Sequence, residues 1–201
     1  KQHIFDDVQH HFREKRGMSS PVRIVDHDPQ WAILYEEEKL RILEVIGHKL
    51  MAIEHIGSTA VPGLGAKPIV DIMAAVLGST DADKCLPLLK PLGYEDVTPQ
   101  PENPDWYYCL GKRNRGKHLY HLHLVRFNSE HWKKHLLFRD FLRTHPEVAR
   151  QYHELKKKLA AKYQSDRERY TEAKTSFIES VVTQAQKDLT REWDTRMKEF
   201  L

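Results

Sequence analysis

Cysteine is scarce in this sequence. The 201 residues include two cysteines, Cys85 and Cys109, which have no CxxC spacing. Two such residues form neither a disulfide framework nor a cysteine-based zinc site, and this usage is typical of a reducing compartment. We therefore expect a cytoplasmic protein.

Long apolar runs are also missing. The longest uncharged apolar run, residues 72–78, is far shorter than the ~20 residues of a membrane-spanning helix. No basic segment followed by an apolar one opens the chain. Hydrophobic residues make up 40% and charged residues 30%, which predicts a folded chain without a membrane partner.

A strong excess of one charge is absent as well. Lysine and arginine number 32 against 29 acidic residues, for a net charge of +3. The densest basic cluster, residues 112–117, is short, whereas nucleic-acid binders carry a concentrated basic face. The cluster can steer a polyphosphate or be a solvated turn, and the composition does not indicate a nucleic-acid partner.

What the sequence does contain is an alternation of strand and helix patterns, which predicts one α/β (α+β) domain. We expect a mixed sheet of four or five strands with flanking helices and a helical C-terminal part. Residues 111–118 are predicted to form a long basic hairpin tip. The expected organisation is a helical extension over 1–20, a domain over 21–185 and a helical tail over 186–201. The apolar positions of the tail predict packing on the first helix or on a second copy in a homo-oligomer.

The glycine-rich loop after the strand over residues 50–56 is a candidate phosphate site. Gly57 allows close backbone approach to an anion, Ser58 and Thr59 offer hydroxyl groups, and Lys67 adds a positive charge. A purely structural turn is the alternative, because such loops are common.

Asp71 interrupts the apolar run over residues 69–76, which is typical of a strand buried on both faces. A buried carboxylate without a partner is costly, so it needs a cation or hydrogen-bond donors. A metal ion answers that need, and so does a salt bridge to a lysine or arginine.

The stretch over residues 54–72, EHIGSTAVPGLGAKPIVDI, resembles the signature of the GrpB (UPF0157) family. That family is regarded as part of the nucleotidyltransferase, or polymerase-β-like, superfamily. Similar motifs recur along most of the chain, at 28–31, 120–124, 138–143 and 170–174, with Phe177.

The resemblance implies a glycine-serine loop that grips nucleotide phosphates and a Dh[DE]h strand that holds two divalent cations. Gly57 and Ser58 match the loop, and Asp71 matches the first carboxylate. Met73 stands at the second carboxylate position, which puts nucleotidyl transfer by the usual two-metal route in doubt.

His121 and His123 could complete a different metal site. Two residues apart on a strand, they project from the same face. If their strand lies beside that of Asp71, the three side chains form a two-histidine, one-carboxylate set for a divalent ion such as Mg, Mn or Zn. Two half-buried histidines bonded to backbone or water are the alternative.

Three further residues are candidates. His55 could be a general base or a ligand, or an ordinary residue at a strand end, with Glu54 on the opposite face. Lys174 could contact phosphate or lie on the surface. Arg139 belongs to a segment that matches the family's FRDYLR-like helix, which favours an arginine in the cleft.

Two functions follow from these observations. The first is a nucleotidyltransferase-like enzyme, metal-dependent if Asp71, His121 and His123 hold an ion, that acts on a nucleotide or another phosphorylated small molecule. The second is a catalytically inert ligand-binding or assembly domain of the same fold. The resemblance also implies domains of this kind fused to dephospho-CoA kinase, although no Gx4GK[ST] motif occurs here.

Overall fold

The computed structural model describes residues 21–99 and 106–199, with side chains for 21–95 and 106–191. The helix expected over the first residues lies outside this range. Among the described residues, no helix has both the length and the apolar composition needed to cross a bilayer.

Five strands form one mixed sheet, in the order β1-β2-β5-β4-β3. Strands β2 and β5 run parallel, and the other neighbouring pairs are antiparallel. The predicted fold class is therefore confirmed. The strands are β1 Ala52–Ile56, β2 Val70–Val76, β3 Tyr94–Pro99, β4 Tyr107–Asn114 and β5 Lys117–Arg126.

Six α-helices flank the sheet in the described part of the chain. They are α1 Gln30–Ile46, α2 Ser79–Leu89, α3 Glu130–Thr144, α4 Pro146–Tyr163, α5 Arg167–Glu172 and α6 Thr175–Glu199. Helix α6 continues through residue 186, where the sequence predicted a separate tail.

The two faces of the sheet bury different sets of residues. Ile72 and Ala74 of β2 pack with α1 and α2 in one core cluster. Met73 and Ala75 point the other way and pack with Trp132 of α3. Because side chains alternate along a strand, Asp71 lies on the second face, beneath α3 and the helices that follow it.

The prediction of a long basic hairpin tip is wrong. Strands β4 and β5 continue to a turn of two residues, Arg115 and Gly116, whose φ angles are 49° and 78°. Two positive φ angles are the signature of a type I′ hairpin turn, which follows the twist of the strands. Lys112 of the cluster pairs with the buried carboxylate of Glu38 at 2.7 Å, so it is not available to steer a polyphosphate.

Candidate functional site

The loop between β1 and β2 brings the backbone close to Asp71. Gly57 has φ 71° and ψ −171°, a conformation that L side chains rarely adopt. A Cβ atom at this position would lie 2.6 Å from Asp71 Oδ2. Glycine therefore lets the loop approach the carboxylate, and a 3-10 turn over Ser58–Ala60 follows directly.

The parallel pairing of β2 with β5 places both predicted histidines beside Asp71. Asp71 pairs with His121, and Met73 pairs with His123. His121 Nδ1 lies 3.0 Å from Asp71 Oδ1, within hydrogen-bond distance, and His123 Nε2 lies 3.9 Å from the same oxygen. The two strands are therefore neighbours, which is the condition under which the sequence predicted that the three side chains come together.

These neighbours determine the charge state of Asp71. Burial by itself would raise the pKa of the carboxyl group, but the hydrogen bond from His121 and the nearby ring of His123 outweigh it and hold the pKa well below its usual range. Asp71 is therefore ionised. Met73 is fully buried, so an apolar side chain occupies the second carboxylate position.

Three lysine side chains approach the same region from different segments. Lys67 lies in the loop before β2, Lys156 on α4, and Lys174 between α5 and α6. Lys156 and Lys174 are 3% and 6% exposed. Burial lowers the pKa of Lys156 to about 7, with a further contribution from the charge of Lys67. Burial also lowers the pKa of Lys67 to about 8, although Asp71 opposes the shift.

Neutral groups hold the lysines in place. Lys156 Nζ donates hydrogen bonds to Ser58 Oγ, at 2.8 Å, and to the backbone oxygen of Gly65. Its ammonium lies 4.7 Å from the ring centroid of Tyr152, and that of Lys174 lies 4.4 Å from the ring of Tyr170. Such cation–π contacts offset part of the cost of burying a positive charge.

Asp71, the two histidines and the three lysines border one cavity of about 130 Å³. It lies between the second face of the sheet and helices α3 to α6. Eight residues that the sequence marked as phosphate or metal contacts line it: Gly57, Ser58, Thr59, Lys67, Asp71, His121, His123 and Lys174.

Two predicted site residues, His55 and Arg139, lie apart from the cavity lining. His55 pairs with Ile72, which places it on the face of the sheet opposite Asp71, where its ring stacks on Tyr35 of α1. Burial lowers the pKa of His55 to about 4, despite the opposing charge of Asp71. His55 Nε2 lies 3.0 Å from Thr59 Oγ1, so it contacts the cavity through this loop residue.

Arg139 lies on α3 and is engaged with acidic partners. Its guanidinium contacts Glu54 Oε2 at 2.6 Å and Asp140 Oδ1 at 2.7 Å, and it donates to the backbone oxygen of His55 at 2.9 Å. These bonds tie α3 to β1. Asp140 also pairs with Arg143 on the same helix, at 3.5 Å.

Sequence reasoning missed Lys156, the most deeply buried lysine of the cavity. A signal was present, because Lys156 falls on the apolar stripe of α4, formed by Ala149, Tyr152 and Leu159. A lysine within a buried helical stripe needs a partner inside the protein. His135 of α3, which also lines the cavity, was missed in the same way.

The described residues do not fit the divalent ion that the resemblance implies. No three histidine, cysteine, aspartate or glutamate side chains in residues 21–95 and 106–191 are placed to share one metal ion. Asp71 Oδ1 is engaged by His121, and Met73 supplies no oxygen ligand. Three lysines border the same cavity, and their charge disfavours a cation there.

Comparison with known proteins identifies the family. The family model for GrpB protein matches residues 21–184. The chain belongs to the GrpB family. The UPF0157 protein YqkA of Bacillus subtilis is 34% identical over 83% of this chain, which covers 48% of YqkA. The chain thus spans about half the length of that relative.

Solved structures agree with this assignment and with the nucleotidyltransferase-like fold. The crystal structure of conserved protein GrpB from Enterococcus faecalis has a TM-score of 0.74 at 30% identity, over 83% of this chain and 99% of that one. A structure of the Cid1 poly(U) polymerase with Mg 3'-dATP bound has a TM-score of 0.50 at 14% identity, over 69% and 43% of the two chains. At this identity the Cid1 match concerns the fold alone.

Proposed function

We propose that this GrpB protein binds the phosphate group of a nucleotide or another phosphorylated small molecule in the cavity and catalyses a nucleotidyltransferase-like transfer there. The observation that carries the proposal is the convergence of hydroxyl groups, lysines and the Asp71–His121 pair on one cavity. Hydroxyl and ammonium groups are the donors that phosphate oxygens accept from.

The loop and the lysines supply the binding groups. Ser58 and Thr59 offer hydroxyl groups at the start of the 3-10 turn, where successive backbone N–H groups add partial positive charge. Lys67, Lys156 and Lys174 supply positive charge in their protonated forms, which a bound anion favours. In a transfer reaction these ammonium groups would stabilise the negative charge that develops on the leaving phosphate.

The Asp71–His121 pair supplies a base. Since an ionised carboxylate only accepts hydrogen bonds, the Nδ1 atom of His121 carries the proton, and the lone pair is on Nε2. We assign Nε2 as the acceptor of the proton from an attacking hydroxyl group. As that oxygen bonds to phosphorus, the bond to the leaving phosphate breaks.

A catalytically inert ligand-binding domain is the second candidate function. It is favoured by Met73, which removes a carboxylate from the position that the superfamily uses, and by the lysines that counter the charge of Asp71. On this alternative the cavity binds the same class of ligand but transfers nothing.

A screen of nucleotides and sugar or cofactor phosphates tests both candidates. Binding is measured by thermal shift, because a ligand that binds only the native state raises apparent stability. Transfer is measured as phosphate or pyrophosphate release. The His121→Gln variant should keep binding and lose release, whereas His48→Gln, at an exposed histidine outside the cavity, should keep both.

Each outcome of the screen has a definite meaning. Binding with release that depends on His121 supports the enzyme. Binding without release supports the inert domain. No binding by any phosphorylated compound contradicts the proposal.

A further inference from the structure

The lysines of the cavity have little acidic compensation nearby. Of the described side chains that line the cavity, Asp71 is the one carboxylate, against Lys67, Lys156 and Lys174. The bonding partners of the Lys156 ammonium are a hydroxyl and a backbone carbonyl, both neutral. When all three lysines are protonated, the side chains that line the cavity therefore carry more positive than negative charge.

This charge arrangement reverses that of a two-metal site. A two-metal site clusters oxygen ligands whose negative charge attracts divalent cations, and the cations then neutralise the phosphates. Here the clustered charges are cations of the protein itself. A phosphate group would meet positive charge directly, whereas a divalent ion would meet repulsion from the same ammonium groups.

The lysines come from three separate elements of the chain, which gives them a fixed arrangement. One precedes β2, one lies on α4, and one lies in the break between α5 and α6. Tyr152 and Tyr170 each contact an ammonium group face-on. Burial and these ring contacts limit the freedom of the two side chains, so the cavity is already arranged for an anion before the anion binds.

We propose that Lys67, Lys156 and Lys174 take the place of the divalent ions, so that this site binds the phosphate of its ligand without a metal ion. This inference rests on the proposed function, since it assumes that a phosphorylated ligand enters the cavity. It adds that the ligand binds as the free anion and not as a magnesium complex.

The depressed lysine pKa values are consistent with this role. Burial disfavours the charged form of each lysine. A bound anion favours the charged form and raises the lysine pKa values again. The lysines therefore regain protons as the anion binds, and the desolvation cost is offset when the ligand is present.

Calorimetric titration with inorganic pyrophosphate tests the inference on the unmodified protein. We expect pyrophosphate to bind in buffer that contains EDTA. Added Mg²⁺, Mn²⁺ or Zn²⁺ should raise the affinity by less than about tenfold. Binding that needs a divalent ion, or that tightens by more than this amount, would overturn the inference and leave the proposed function intact.

Substitutions then locate the effect. Lys156→Gln should weaken pyrophosphate binding in EDTA by more than about tenfold, in line with the loss of a charge-assisted hydrogen bond. Lys157→Gln, at the exposed neighbour on the same helix, should change it by less than about twofold. Equal affinities for the two variants would overturn the inference, and Lys174→Gln repeats the comparison if Lys156→Gln fails to fold. No binding in either buffer would contradict the proposed function as well.

Discussion

Replacement of Lys156 by methionine should stabilise the ligand-free protein, although it removes a hydrogen-bonded side chain. The ammonium group is buried, and its pKa falls from the model-compound value of 10.5 to about 7. Each pKa unit corresponds to about 1.4 kcal/mol, so the charged form is disfavoured in the folded state by about 5 kcal/mol. Methionine is similar in length and carries no charge.

The substitution also removes favourable contacts. The hydrogen bonds to Ser58 Oγ and Gly65 O contribute about 1 kcal/mol each, and the contact with the ring of Tyr152 contributes about another 1 kcal/mol. We therefore expect a net gain of about 2 kcal/mol at pH 7 for Lys156→Met.

The gain should depend on pH in a defined direction. Between the folded pKa of about 7 and the unfolded value of 10.5, the unfolded chain holds more of the Lys156 proton than the folded protein does. The parent protein therefore gains stability as the pH rises through this window. The advantage of Lys156→Met should shrink over the same interval.

Urea unfolding of both proteins at pH 7 and pH 9, without phosphate, measures these differences. Lys157→Met is the matched control and should lie within about 0.5 kcal/mol of the parent, because its side chain is 52% exposed. If Lys156→Met is less stable than the parent, or if its gain in the free energy of unfolding grows with pH, the claim that Lys156 carries a destabilising buried charge that serves ligand binding is refuted.

Three further predictions follow from the site. Gly57→Ala should lower the free energy of unfolding by about 1–3 kcal/mol and weaken pyrophosphate binding, since its Cβ would press on Asp71; unchanged values in urea unfolding and calorimetry would contradict this. Arg139→Lys should cost about 1–3 kcal/mol in urea unfolding, because lysine lacks the planar fork that bridges two carboxylates; equal stability would show that the bridge is not needed. The free energy of unfolding should fall as the pH decreases from 6.5 to 4. Burial lowers the pKa values of His55 and His135 to about 4, so the unfolded chain takes up these protons first, and the loss for His55 is about 3 kcal/mol. A free energy of unfolding that does not change over this pH range in urea unfolding would contradict the prediction.

Periodicity was enough to predict the sheet and most helices. The apolar run over residues 69–76 became β2, which covers Val70–Val76. The pairing of His121 and His123 on one face follows from the two-residue repeat of a strand. What the sequence could not give is that β5 lies beside β2 in the register that brings His121 to Asp71.

Other features depended on contacts that a linear pattern does not reveal. The tight hairpin turn at Arg115 and Gly116 lacks the Asn-Gly or Asp-Gly pair that usually marks such turns. The apolar stripe of α4 marks Lys156 as a buried position, but it does not identify the partners of its ammonium group, Ser58 and Gly65, because they are distant in sequence.

The most direct test of the account is a crystal structure of the protein soaked with tungstate, a tetrahedral dianion that resembles phosphate and scatters anomalously. We predict an anomalous peak in the cavity, within hydrogen-bond distance of Lys156 Nζ and bordered by Lys67 and Lys174. Peaks at the protein surface with none in the cavity would contradict the claim that these lysines form an anion site.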